Sequence, residues 1–142
     1  MSAMYDPSRV SLKLNSIKID GLASGSDSIS LARNEGMGSH TFGLDGRGVW
    51  VHNTNKSGQL TIKLQQHAKA NKILTDWANA QDDLLTSELL SLEIKDLING
   101  DTVSGVNGRI LTPTNYVRGT EHNDNTWVIE FERVSINLEE GK

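Results

Sequence analysis

Few residues in this 142-residue chain have the types and spacing that chemistry requires. The four histidines, His40, His52, His67 and His122, are scattered, and no two stand at the i, i+4 helical spacing of a zinc pair. His40 and His52 can become neighbours across a hairpin, but two imidazoles alone do not make a metal centre. Glu130 and Glu132 share one face of a strand, as the paired carboxylates of a glycosidase would. Nothing else in the chain marks a cleft beside them, so they read as a solvated strand face. Gly46 and Gly48 form a Gly-x-Gly. A phosphate cradle needs strand–turn–helix, whereas this one lies in strand–turn–strand. Ser24 and Ser26 belong to a turn cluster with no helix behind it, which is not a nucleophile elbow. Cysteine is absent, which excludes a disulfide framework, a thiolate metal site and a cysteine nucleophile. The sequence therefore predicts no catalytic residue, no metal and no cofactor.

The composition allows a single folded domain over 1–142. Leu, Ile, Val and Phe supply 36 of the 142 residues, about a quarter, above the roughly 20% below which chains tend to stay disordered. No apolar run approaches the ~18 residues of a membrane span, and the opening MSAMYDPSRV has no apolar stretch like that of a signal peptide. Membrane insertion is not expected. The net charge of −4 hides a gradient: residues 1–72 carry 9 Lys/Arg and 5 Asp/Glu (+4), and residues 73–142 carry 5 and 13 (−8). Such a split would suit head-to-tail self-association, unless folding mixes the two halves on one surface. Nucleic-acid recognition is poorly supported, because Trp50, Trp77 and Trp127 fall at core or hairpin positions rather than on a basic face.

The elements that must position these residues are mostly strands. Residues 1–7 read as a loose arm ending at Pro7. From Ser8, Val10, Leu12 and Leu14 alternate with polar residues, and Ile17 and Ile19 continue the period. Residues 28–32 alternate again. Residues 34–58 hold six glycines and read as an extended hairpin arm: Thr41–Leu44 and Val49–His52 flank the turn signal Asp45-Gly46-Arg47-Gly48. An isolated two-stranded hairpin is marginal in water, so this one should pack on its own domain or on another chain, and its length and glycine content favour an arm that orders against a neighbour. Residues 58–66 are the clearest strand, with Leu60, Ile62 and Leu64 on one face. Ala70, Ile73, Leu74, Trp77 and Gln81 then follow helical spacing, with the helix stopping before Asp82 and Asp83. Leu84 and Leu85 extend that stripe or plug a loop. Residues 91–97 and 127–134 are strands, 102–112 a glycine-interrupted strand or hairpin, and 113–125 a polar loop. In 127–134, Trp127, Ile129 and Phe131 point one way, and Val128, Glu130, Glu132 and Val134 the other. The expected fold is mainly β, a sandwich or barrel with one flanking helix and a long protruding hairpin.

This order of elements resembles the small tail tube proteins of contractile-tailed bacteriophages. The strongest part is residues 26–80: a strand ending Ala32-Arg33-Asn34-Glu35, the hairpin with Asp45-Gly46, the run Ser57–Leu64, and a helix starting Asn71-Lys72-Ile73-Leu74. The resemblance implies a structural virion protein. Six protomers would close into a ring, and rings would stack into a hollow tube that conducts DNA, inside a sheath and on a baseplate. It also implies a place in the virion tail after assembly in the host cytoplasm. The hairpin residues Phe42, Leu44, Asp45, Gly46, Arg47, Gly48, Val49, Trp50 and Val51 would then contact neighbouring subunits. A conduit for DNA must not hold phosphates as Lys/Arg do, which makes Glu93, Glu130 and Glu132 candidates to face the lumen. Type VI secretion tube proteins, with the same fold, and other tail rings are the nearest alternatives. From a different class, a β-sandwich could bind carbohydrate, with Trp50 and Trp127 as stacking platforms.

Overall fold

The computed structural model describes residues 4–84 and 89–139. Nine strands are β1 (Val10–Leu14), β2 (Ile17–Lys18), β3 (Ile29–Arg33), β4 (Gly38–Phe42), β5 (Gly48–His52), β6 (Gly58–Leu64), β7 (Leu90–Asp96), β8 (Thr102–Thr112) and β9 (Asn125–Asn137). One helix, α1 (Ala70–Asp82), joins β6 to β7, and a 3-10 turn (Pro7–Arg9) precedes β1. Seven strands form an antiparallel sheet in the order β2-β1-β7-β8-β9-β6-β3, and β4 and β5 form a second sheet of their own. The mainly β architecture with one helix and a separate hairpin matches the sequence expectation.

Period-two patterning builds the large sheet. Leu60, Ile62 and Leu64 of β6, Leu90, Leu92 and Ile94 of β7, and Trp127, Ile129 and Phe131 of β9 are all buried in one apolar cluster. The intervening residues face out. The sheet's two outer edges come together at residues 19–23. Ile19 N–H donates to the Leu12 carbonyl on one side, at 2.9 Å. On the other side Ala23 N–H donates to the Lys63 carbonyl, and Gln65 N–H to that of Gly21. The sheet is thus rolled around its cluster. Ile19 fills the roll, while Ile17 stays exposed on the short β2.

Two glycines of β8 pack directly against an aromatic ring of β9. A Cβ on Gly108 would stand 2.4 Å from Phe131 Cε1, and one on Gly105 2.9 Å from Phe131 Cγ. Between them the burial pattern of both strands slips by one, at Val106–Asn107 on β8 and Glu132–Arg133 on β9. Asn107 has φ 55 there. The slip turns Val134 into the core, against the simple alternation of the sequence. Residues 102–112 are accordingly one bent strand, not a hairpin.

Helix α1 seals one side through Ala70 and Leu74, with Trp77 packed partly against the cluster. Asn71 ties its start to the sheet: Nδ2 donates to the Gln65 carbonyl at 3.0 Å, and Oδ1 accepts from Trp127 Nε1 at 3.1 Å. Gln81 interrupts the apolar stripe for a reason. Its amide pairs with both backbone groups of Ile110, at 2.8 and 2.9 Å, covering part of β8 that β7 does not pair. A helix side chain thereby blunts a stretch of strand edge. The helix runs one residue past expectation, through Asp82 to the cap at Asp83. Leu84 is exposed, at φ 57, and leaves the stripe; Leu85 lies outside the described residues.

Of the expected N-terminal arm, residues 1–3 lie outside the described residues. Asp6 caps the 3-10 turn, and its bonds from the Ser8 hydroxyl and N–H hold its carboxyl below the usual range. At the end of β7, Asp96 points inward and accepts N–H bonds from Asn99 and Ile98, which lower its pKa from 3.8. Asp96 thus organises the turn into β8.

Candidate functional site

The hairpin stands apart from the rolled sheet. Its strands pair in five positions, from Gly38 opposite His52 to Phe42 opposite Gly48. The strands are shifted from expectation: β4 begins at Gly38, and the turn is Gly43–Arg47. Gly46, at φ +83, allows that turn, which is closed by Gly43 N–H donating to the Arg47 carbonyl at 2.9 Å. Asp45 stabilises it by accepting Arg47 N–H at 3.1 Å.

One face of the hairpin is aromatic. His40 packs edge-on against Trp50, centroids 5.0 Å apart, and stacks on Phe42 at 5.7 Å. The glycines in the ladder make room for these rings: a Cβ on Gly38 would lie 2.5 Å from Trp50 Cζ2, and one on Gly48 2.8 Å from Phe42 Cε1. The opposite face carries Thr41, Val49 and Val51. Trp50 is 52% exposed, Phe42 70%, and Leu44 at the tip fully exposed. Residues with this much apolar surface usually meet a partner. His40 therefore belongs to an aromatic patch. The histidines that do meet are His67 and His122, 4.5 Å between centroids. Among the described residues, no three His, Asp or Glu side chains group to hold a metal.

Asparagines fix the neck of the hairpin. Asn53 Nδ2 donates to Glu35 Oε2 at 2.8 Å and to the Gly36 carbonyl at 3.0 Å. Asn53 Oδ1 then accepts Asn55 N–H, and Asn55 Oδ1 accepts Ser57 N–H, each at 2.9 Å. Asn34 links the neck to the sheet through Ser57 Oγ and Glu130 Oε1. Spacing alone did not reveal this relay, although the Asn-x-Asn-x-Ser run of Asn53, Asn55 and Ser57 is its signal, since such side chains hydrogen-bond backbone two residues on.

Glu93, Glu130 and Glu132 all lie on the outward face of the rolled sheet. They do not form an acidic stripe. Glu93 stands opposite Lys13 in the ladder, and Glu130 opposite Arg109. Glu130 also accepts from Asn34 at 3.1 Å, and Glu132 from Asn107 at 2.6 Å. Two carboxylates held by separate asparagines on an open strand face are not the acid and base of a hydrolase. The charge gradient mixes for the same reason. β1 from the basic half pairs with β7 from the acidic half, and β6 pairs with β9. A carbohydrate platform is also ruled out in part: Trp127 is 1% exposed, and its N–H is bound to Asn71.

Comparison with known proteins gives the family. No curated protein matches the sequence. Solved structures share the fold at low identity, among them the following three. The anti-feeding prophage cap, an AFP tube terminating cap, superposes with TM-score 0.62 at 16% identity, over 97% of this chain and 95% of that one. The sheath–tube complex of an extracellular contractile injection system, PVC, in its extended state gives 0.64 at 15%, over 94% and 90%. The sheath/tube terminator of the PVC system, also extended, gives 0.65 at 14%, over 96% and 99%. The family described as Bacteriophage PhiTE tail tube protein matches residues 12–139, nearly the whole chain, and the chain belongs to that family of structural, non-enzymatic phage tail proteins.

Proposed function

We propose that the protein is the tube subunit itself. Six copies close into a ring, and rings stack head to tail into a hollow conduit through which DNA leaves the virion. A sheath surrounds the tube and a baseplate ends it, and assembly takes place in the host cytoplasm. The observation that carries this reading is the hairpin. It presents Phe42, Leu44, Val49, Trp50 and Val51 to solvent at one end of a chain whose other apolar residues mostly fill a closed core. A surface that finds its partner elsewhere on an identical copy makes heterologous contacts, which close into rings or extend into filaments. Asp45, Gly46 and Arg47 set the turn that presents it, and Gly48 opens β5 opposite Phe42.

The outward sheet face bearing Glu93, Glu130 and Glu132 suits the lumen. Phosphate affinity comes from unneutralised Lys and Arg. On that face Lys13 and Arg109 stand opposite carboxylates across the ladder, which weakens their hold on phosphate.

The terminator is the second reading, because two of the three similar structures are a tube cap and a sheath/tube terminator. Electron microscopy of the purified protein separates the two. Open-ended tubes support the tube subunit; single rings that do not stack support the terminator. Monomers alone at high concentration overturn both.

A further inference from the structure

The hairpin tip needs a receiving site, and the rolled sheet leaves one open. Where its edges meet, a groove of about 750 Å³ lies between residues 5–10 and residues 22–29. Six of its ten lining residues are apolar, Tyr5, Pro7, Val10, Leu22, Ala23 and Ile29, and the others are three serines and Gly25. The groove of similar size at the hairpin's own base, about 730 Å³, is different. It is walled by Asn55, Lys56, Asn107, Glu132 and Arg133, and a leucine there would strand buried polar groups.

We propose that the tip of the β4–β5 hairpin of a second copy, led by Leu44 and Phe42, docks in this seam between β1 and β3. The inference rests on the tube-subunit reading and names the surface that its hairpin engages. Three observations converge. Leu44 is the most exposed apolar side chain of the described residues, and Phe42 follows it on the same arm. Of the two grooves of this size, the seam is the apolar one. Charges also match at the mouth. Arg47 is held only loosely, 3.6 Å from Asp45, and is 90% exposed. Asp6, beside the lining residues Tyr5 and Pro7, is fixed as an acceptor by Ser8. Because tip and seam lie on different parts of one chain, each copy gives one contact and receives one, as a ring or stack requires.

The natural absence of cysteine makes the test clean. Leu44→Cys is combined with Ser24→Cys or Ser26→Cys on the exposed rim, and a control pairs Leu44→Cys with Lys56→Cys in the polar groove. A disulfide requires Cα atoms within about 7 Å. After mild oxidation, a rim pair should give a ladder of cross-linked oligomers on a non-reducing gel, and the control should not. Leu44→Asp should raise the concentration needed for assembly at least about tenfold, with the circular dichroism of the folded chain unchanged. Wild-type protein imaged in parallel separates the two levels. Wild-type rings or tubes without rim cross-links, or with cross-links only to Lys56→Cys, overturn the seam and leave the tube reading standing. Wild-type protein that never assembles overturns both.

Discussion

Gly108 of β8 lies so close to Phe131 of β9 that a methyl group on it would sit 2.4 Å from the ring. That approach leaves no room for a side chain where β8 crosses the Phe131 ring. Gly108→Ala forces the ring or the strand to move, and overpacking of this kind typically costs about 1–3 kcal/mol. Thermal denaturation followed by circular dichroism should show a lower melting temperature. An unchanged melt would mean that stability does not depend on this contact.

Ile62 is fully buried, between Leu60 and Leu64 on one strand face. Ile62→Ala leaves a cavity and should cost about 2–5 kcal/mol. Ile62→Asp places an unpaired charge among apolar side chains and should yield unfolded or insoluble protein. Soluble, native Ile62→Asp protein would show that the register of β6 is wrong.

Asp96 gives the fold an acid-sensitive turn. Hydrogen bonds from Asn99 and Ile98 depress its folded pKa below 3.8. A depressed carboxylate contributes stability that is complete above its unfolded pKa of about 3.9 and fades as pH falls through the lower folded value. Wild type should therefore exceed Asp96→Asn in stability at neutral pH, and the gap should close below about pH 4. Urea titrations of both proteins from pH 7 to pH 3 check this; a gap that stays constant refutes it.

The hairpin pairs only with itself in the sheet topology, so the domain does not need it to fold. Deleting Gly43–Val49 should leave a chain with the wild-type circular dichroism spectrum and a cooperative melt. The same protein should run as a monomer by size exclusion. Loss of folding would show that the arm belongs to the core.

Much of this was legible in the sequence, where local physics decides. Alternation marked Leu60, Ile62 and Leu64 as one buried face, and helical spacing placed Ala70 and Leu74 against it. Asp45-Gly46 located the hairpin turn to within two residues. What stayed hidden depends on partners distant in sequence. Val134 turns inward where the burial alternation of β9 slips by one at Glu132–Arg133, beside the close packing of Gly105 and Gly108 on Phe131. Gln81 sits in an apolar stripe because Ile110, 29 residues later, offers it two backbone groups. The charge gradient faded because strands from opposite halves are neighbours. At the candidate site, the exposed hairpin apolars were foreseen. The asparagine neck and the cations facing Glu93 and Glu130 were not, since alternation says which side a residue faces but not what stands opposite.

Identical copies of the chain must join through the hairpin and leave a channel. Cryo-electron microscopy of the purified wild-type protein tests this most directly. The predicted map shows stacked rings around an open bore, with each hairpin lying on a neighbouring subunit. A map in which the hairpin folds back on its own subunit, or in which the particles are solid and unstacked, would contradict it.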